Sequence, residues 1–237
     1  MGCSLDPIDE QTATERIIAM ARAGGGSQIV TLGTEMVVYA QRDSRYRSVI
    51  NACALSLCDT VGLLAAARRR GASLRRRVTG IELIELLCAR AAHEDIPVYL
   101  LGGAPGVAEE AARALQARHT GLRVAGTNDG YFPDAESSTI AGSIKNSGAQ
   151  ILFAGMGFPR QEFWLADHLK ETGCGAGIGV GGSFDVLAGK VQRAPLLWRR
   201  FGIEWLYRLV REPHRWRRQL ALPKFVWLLA CEGLRSR

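Results

Sequence analysis

Nowhere in these 237 residues is there an apolar run of the roughly 18 needed to cross a bilayer, so no spanning helix is expected. The first ten residues carry Asp6, Asp9 and Glu10 where a secretory signal would be basic and then apolar, which argues against export. Met1-Gly2-Cys3 lacks the Ser or Thr that myristoylation wants at position 6, where Asp6 stands. The six cysteines lie far apart without a C-x-x-C, and the four histidines do not cluster. Reduced, mostly buried thiols are therefore expected, and neither a zinc site nor a disulfide framework. Also missing are G-x-G-x-x-G, G-x-x-x-x-G-K-[ST] and Asp-x-Asp. The first two absences speak against an NAD or S-adenosylmethionine enzyme and a P-loop enzyme. Without the third, a bound diphosphate is expected to be met by arginines and helix N-termini, not by a carboxylate-held metal.

What is present is an ordinary globular composition, 47% hydrophobic and 22% charged, which excludes a disordered or low-complexity chain. The net charge of +7 is unevenly spread. From Lys190 to Arg237 there are twelve Lys and Arg against Glu204, Glu212 and Glu232, a net +9. The first 189 residues hold 18 basic and 20 acidic groups, a net −2. Four of the five tryptophans, Trp198, Trp205, Trp216 and Trp227, share the basic stretch. The expected division is a core over residues 1–189 and an appendage over 190–237.

Short β-like runs alternate with helical patterns through the core. Strands are expected over 28–32, 54–58, 97–101, 122–125, 149–154 and 175–180. Helical patterns fall over 35–51, 62–70, 80–93, 105–119, 135–146 and 159–170. Strands separated by such helices imply βαβ units and a mostly parallel sheet with helices on both faces, an α/β fold. Sheets of this kind bind ligands at the carboxyl ends of their strands. Those ends carry Thr31 to Thr34 with Gly33, then Asp59-Thr60, Gly102-Gly103, Asn128-Asp129-Gly130, Gly155 to Gln161 with Gly157, and Gly181 to Asp185 with Gly182. Glycine beside a polar group suits close approach of backbone amides to a phosphate or sugar. Each alone is also an ordinary turn.

Asp59 has two readings: a helix cap, or a general base at the mouth of the sheet. The runs Arg68 to Arg70 and Arg75 to Arg77 read as solvated helix ends, except Arg77, after which Val78-Thr79-Gly80 returns the chain to the core. The basic, Trp-rich tail fits a helix lying in an anionic membrane interface. A nucleic-acid arm and a plain packed subdomain are the competing readings.

Taken in order, Thr31 to Val37, Cys58 to Gly62, Arg77 to Gly80, Leu100 to Gly103, Gly130-Tyr-Phe132, Gly155 to Glu162, Gly179 to Gly189, Arg193-Ala-Pro195 and Glu204 to Arg208 resemble the WecG/TagA/CpsF glycosyltransferases. The resemblance implies a Rossmann-like core with a basic amphipathic helical appendage that docks on the membrane and completes the active site. It implies inverting, metal-independent transfer of a hexosamine-type sugar from a UDP donor to a polyprenyl-diphosphate-linked sugar in bacterial cell-surface polysaccharide synthesis, without a cofactor. By the same resemblance Asp59 is the general base, Thr31 and Gln161 line the sugar pocket, and Arg77 belongs to the site. Arg208, Arg215 and Arg218 reach the donor diphosphate. The expected place of action is the inner face of the cell membrane, with no nucleic acid involved and self-association left open. The chain departs from the family pattern at Gly33, which replaces an asparagine, at Thr60, which replaces a glycine, and at Ile81, which replaces a serine.

Overall fold

In the computed structural model, the described residues are 1–195, 198, 204–211, 216 and 220–235. The expected strands appear as β1 (Ser27–Leu32), β2 (Leu55–Cys58), β3 (Val98–Gly102), β4 (Val124–Asn128), β5 (Ile151–Gly155) and β6 (Ala176–Gly179). They form one sheet in the order β2-β1-β6-β5-β3-β4. Every pairing is parallel, so the sheet is wholly rather than mostly parallel.

A parallel sheet must be covered on both faces, because each face is apolar and each crossover needs a helix. Successive residues of a strand therefore enter opposite cores. Ile29, Leu57, Leu100, Phe153 and Ile178 meet α1 (Glu10–Ala23), α5 (Gly80–His93) and α6 (Val107–Arg118). Val30 and Cys58 meet α2 (Thr34–Ala40), α3 (Ser44–Ala52) and α4 (Val61–Arg69). Leu101, Leu152 and Ala154 meet α7 (Ser137–Ser147) and α8 (Arg160–His168). The short α9 (Ser183–Leu187) follows β6, and α10 (Glu204–Arg211) and α11 (Ala221–Arg235) lie in the basic stretch.

Four expectations need correction. The helical pattern over 35–51 is two helices, since Asp43 leaves the helix at φ −124° and caps α3 by accepting from Tyr46 N. The strand expected over 122–125 is Val124–Asn128, and its register against β3 is irregular at Val98/Tyr99. The helix expected from Pro105 begins at Val107, because Gly106, at φ 85°, is its N-cap. α1 was not expected at all, although Asp9 caps it and Ala13, Ile17, Ile18 and Ala21 line its buried side.

The topology places the site. β3 sends its chain outward to β4, whereas its neighbour β5 sends its chain inward to β6. Adjacent strands that feed opposite directions open a crevice at their carboxyl ends. Gly102 permits this closeness: its φ is +142°, and a Cβ there would lie 2.4 Å from the Gly155 carbonyl carbon.

α11 returns to the sheet. Phe225 is 1% exposed within the cluster of α2 and α4, and Gly62 faces its ring. Burying such a ring contributes about 1.5–3 kcal/mol. On the outer side of α11, Val226 and Trp227 are 64% and 65% exposed. Among the described residues, no helix is long and apolar enough to cross a membrane.

Candidate active site

All six strands end along one rim, so the loops singled out by sequence lie side by side in sheet order. α4, α6 and α8 begin at this rim, and the positive ends of their backbone dipoles face it. At the β2 end, Asp59 donates its backbone N–H to Leu32 O at 3.0 Å, extending the ladder beside Gly33. The N-cap of α4 is Thr60, not Asp59, and its side chain makes no capping bond. Asp59 precedes that cap position by one residue and stands half-buried at the strand end.

Arg77 comes to the same place by a different route. Val78 N donates to Cys58 O at 2.7 Å, which lays the Arg77–Val78 stretch against the end of β2. Both side chains act on the Cys58 thiol. Burial first, and then the Asp59 charge, push that thiol up to about 12, with Arg77 opposing them. Gly33 and Thr60 also meet here, a Cβ at Gly33 falling 3.4 Å from Thr60 Cγ2. Two of the three departures from the family pattern are thus neighbours.

Thr31 Oγ1 donates to Gly179 O at 2.9 Å, tying β1 to β6 and leaving its oxygen free to accept. Gln161 is 3% exposed, and both ends of its amide bond the protein. Its Oε1 accepts from Gly157 N at 3.2 Å and Gly181 N at 3.0 Å, and its Nε2 donates to Glu162 Oε1 at 2.6 Å. Gln161 therefore binds the β5 loop to the β6 loop. Gly157, at φ +80°, has nothing within 4 Å of a Cβ position and faces open space. Gly182 lies just before α9 and Asp185 in its first turn.

On the other half of the rim, Gly103 O accepts from Gly130 N at 2.8 Å, joining the β3 and β4 loops, and Asn128 ends β4. Arg160 clamps this half. Its guanidinium donates to Gly130 O and Phe132 O and lies 4.7 Å over the Phe132 ring. Neither Arg160 nor Glu162 stood out in the sequence, though both lie within the Gly155 to Glu162 stretch.

Glu162 is 1% exposed beneath α3. Tyr46 sits over it, edge-on to Tyr39, Phe158 and Phe163 with ring centres 5.0, 5.7 and 5.5 Å away. Burial pushes the Glu162 carboxyl from an ordinary 4.5 up to about 7, against the pull of the Gln161 amide and the Tyr46 hydroxyl. Its Oε2 is buried without a partner of full hydrogen-bonding geometry.

Of the appendage arginines, Arg208 lies on α10, and Arg215 and Arg218 lie outside the described residues. Among the described residues no three His, Cys, Asp or Glu side chains are grouped to hold a metal ion. Hollows of about 490 and 330 Å³ lie beside Tyr39 and Arg42 and beside Ile81 and Arg118, and Asp59, Arg77, Thr31 and Gln161 line neither of them.

The family described as glycosyl transferase WecG/TagA/CpsF matches residues 1–237. The chain is also 34% identical, over 201 residues, to a protein of Bacillus spizizenii, covering 85% of this chain and 77% of that one. The relative is named N-acetylglucosaminyldiphosphoundecaprenol N-acetyl-beta-D-mannosaminyltransferase.

Proposed function

Because the chain belongs to the WecG/TagA/CpsF glycosyltransferase family, we propose that it moves an N-acetylmannosamine-type sugar from a UDP donor to an undecaprenyl-diphosphate-linked N-acetylglucosamine. The acceptor is the one named for the Bacillus relative, and the product feeds a bacterial cell-surface polymer. Family membership favours an enzyme over the competing reading of a nucleic-acid-binding protein.

In this mechanism Asp59 takes the proton of the acceptor hydroxyl as its oxygen attacks the anomeric carbon. The bond from that carbon to the diphosphate oxygen breaks, UDP leaves with the electron pair, and the configuration inverts. Arg77, with Arg208, Arg215 and Arg218, meets the charge gathering on UDP without a metal. Thr31 accepts from a sugar hydroxyl, and Gly33, Gly102, Gly103, Asn128, Gly130, Gly157, Gly182 and Asp185 shape the rim around donor and acceptor. Gln161 acts by holding two of these loops. The basic stretch from residue 190 docks on the inner face of the cell membrane, and exposed Trp216, Val226 and Trp227 support that role.

The observation that supports the reading is that Asp59 and the Arg77–Val78 stretch are both held at the end of β2, beside the Leu32 carbonyl that leads into Gly33, with both charges acting on the Cys58 thiol. Asp59→Asn keeps the shape and removes the base. Turnover should fall about 10²–10⁴-fold while UDP binding and thermal unfolding stay near those of the unmodified chain. Turnover within a few-fold of normal would remove Asp59 from the mechanism.

A further inference from the structure

Arg77 is held from outside the α/β core. Its Nη2 donates to Glu204 Oε2 at 3.3 Å, and the two side chains are 19% and 14% exposed. Glu204 opens α10, in the basic C-terminal stretch. A second ion pair of opposite polarity lies five residues along, where Arg193 donates to Glu82 Oε1 and Glu82 Oε2 accepts from Thr79 Oγ1 at 2.7 Å. The core offers a cation at 77 and an anion at 82, and the C-terminal stretch answers with an anion and a cation. Exchanging the partners would set Arg193 against Arg77 and Glu204 against Glu82. The two pairs therefore define one seating.

A pair as covered as Arg77–Glu204 gains little net stability, because both charges lose water. Its value lies in orientation. A guanidinium carries five donors in one plane. A carboxylate on one Nη fixes that plane and leaves the other donors to face a phosphate or sugar oxygen. We propose that Glu204 is a positioning residue for the transfer reaction: it sets the plane of Arg77, and because it arrives on α10, Arg77 is set only when the C-terminal stretch is seated. This rests on the reading of Arg77 as a group that meets substrate.

The test uses the full chain in a cycle of Glu204→Gln, Arg77→Lys and the double variant, with kcat and KM for the UDP-sugar. Tryptic cleavage of residues 199–218 gives a parallel measure of seating. Glu204→Gln is nearly isosteric, so a folded protein is expected, and Glu204→Asp serves as the conservative control. Glu204→Gln should lower kcat/KM on the order of tenfold, with part recovered in Glu204→Asp, and should cost nothing further once Arg77 is Lys. If it costs the same in both backgrounds, or leaves kcat/KM unchanged while Arg77→Lys is impaired, Glu204 does not act through Arg77. If Arg77→Lys and Arg77→Ala both turn over normally, it is the role of Arg77 that fails, a result distinct from the other two.

Discussion

Glu162 carries the largest consequence of any single residue, because a buried acid makes folding depend on pH. Its pKa is raised from 4.5 to about 7 in the fold, chiefly by burial, so the folded chain holds a proton that the unfolded chain has released. Stability from this group is full below about pH 4.5 and declines as pH rises toward 7, by at most about 1.4 kcal/mol per unit. Glu162→Gln can keep the bond from Gln161 without the titration. It should flatten urea midpoints between pH 5 and 7 and exceed the unmodified chain at pH 8; parallel curves would show that Glu162 is not the titrating group. The placement of Asp59 and Arg77 at the sheet's rim could be read from sequence, because each stands where an apolar run stops or resumes. Glu162 could not, since an acid in the first turn of a helix reads as solvated, and its burial depends on Tyr46, which another helix supplies. The neighbouring Gly33 and Thr60 were separately visible as departures from the family pattern, but their contact is tertiary.

Among elements, α5 was legible end to end, Gly80–His93, because Thr79 caps it and its apolar spacing runs its whole length. The break between α2 and α3 was not, because hydrophobic periodicity passes over Arg42-Asp43, where the Asp43 carboxylate caps α3 by accepting from Tyr46 N. The pairing of β3 with β5 was equally hidden, since nothing local says which strands become neighbours. That pairing makes unlike demands on two glycines. A methyl at Gly102 would press on Gly155 backbone at 2.4 Å, whereas one at Gly157 meets only open space. Gly102→Ala should therefore cost upward of about 3 kcal/mol, and Gly157→Ala only the left-handed strain of about 1–2 kcal/mol. Thermal unfolding of the two variants checks the ranking, and equal losses would mean that β3 and β5 can move apart cheaply.

At the scale of the molecule, the split between a near-neutral 189 residues and a tail of +9 could be counted directly. How the tail meets the rest could not, because Phe225, Arg193 and Glu204 find their partners only in three dimensions. A chain ending at Gly189 should keep the circular dichroism of the α/β core, less the helical signal of α10 and α11, but lose transfer and flotation with anionic vesicles. It should also lose about 1.5–3 kcal/mol of stability from the missing Phe225 ring. Transfer by that shortened chain would make the tail an anchor and nothing more. The sheet has two outer strands, β2 and β4, and the amino-terminal residues already run along one of them. Asp6 N donates to Ser56 O at 2.9 Å, and Ser56 N donates to Asp6 Oδ2 at 2.7 Å. A border occupied by the chain's own leading residues cannot accept a strand from a neighbour. Any sheet continued between two copies must join β4 to β4, a self-complementary contact that closes at a pair and cannot grow into a fibre.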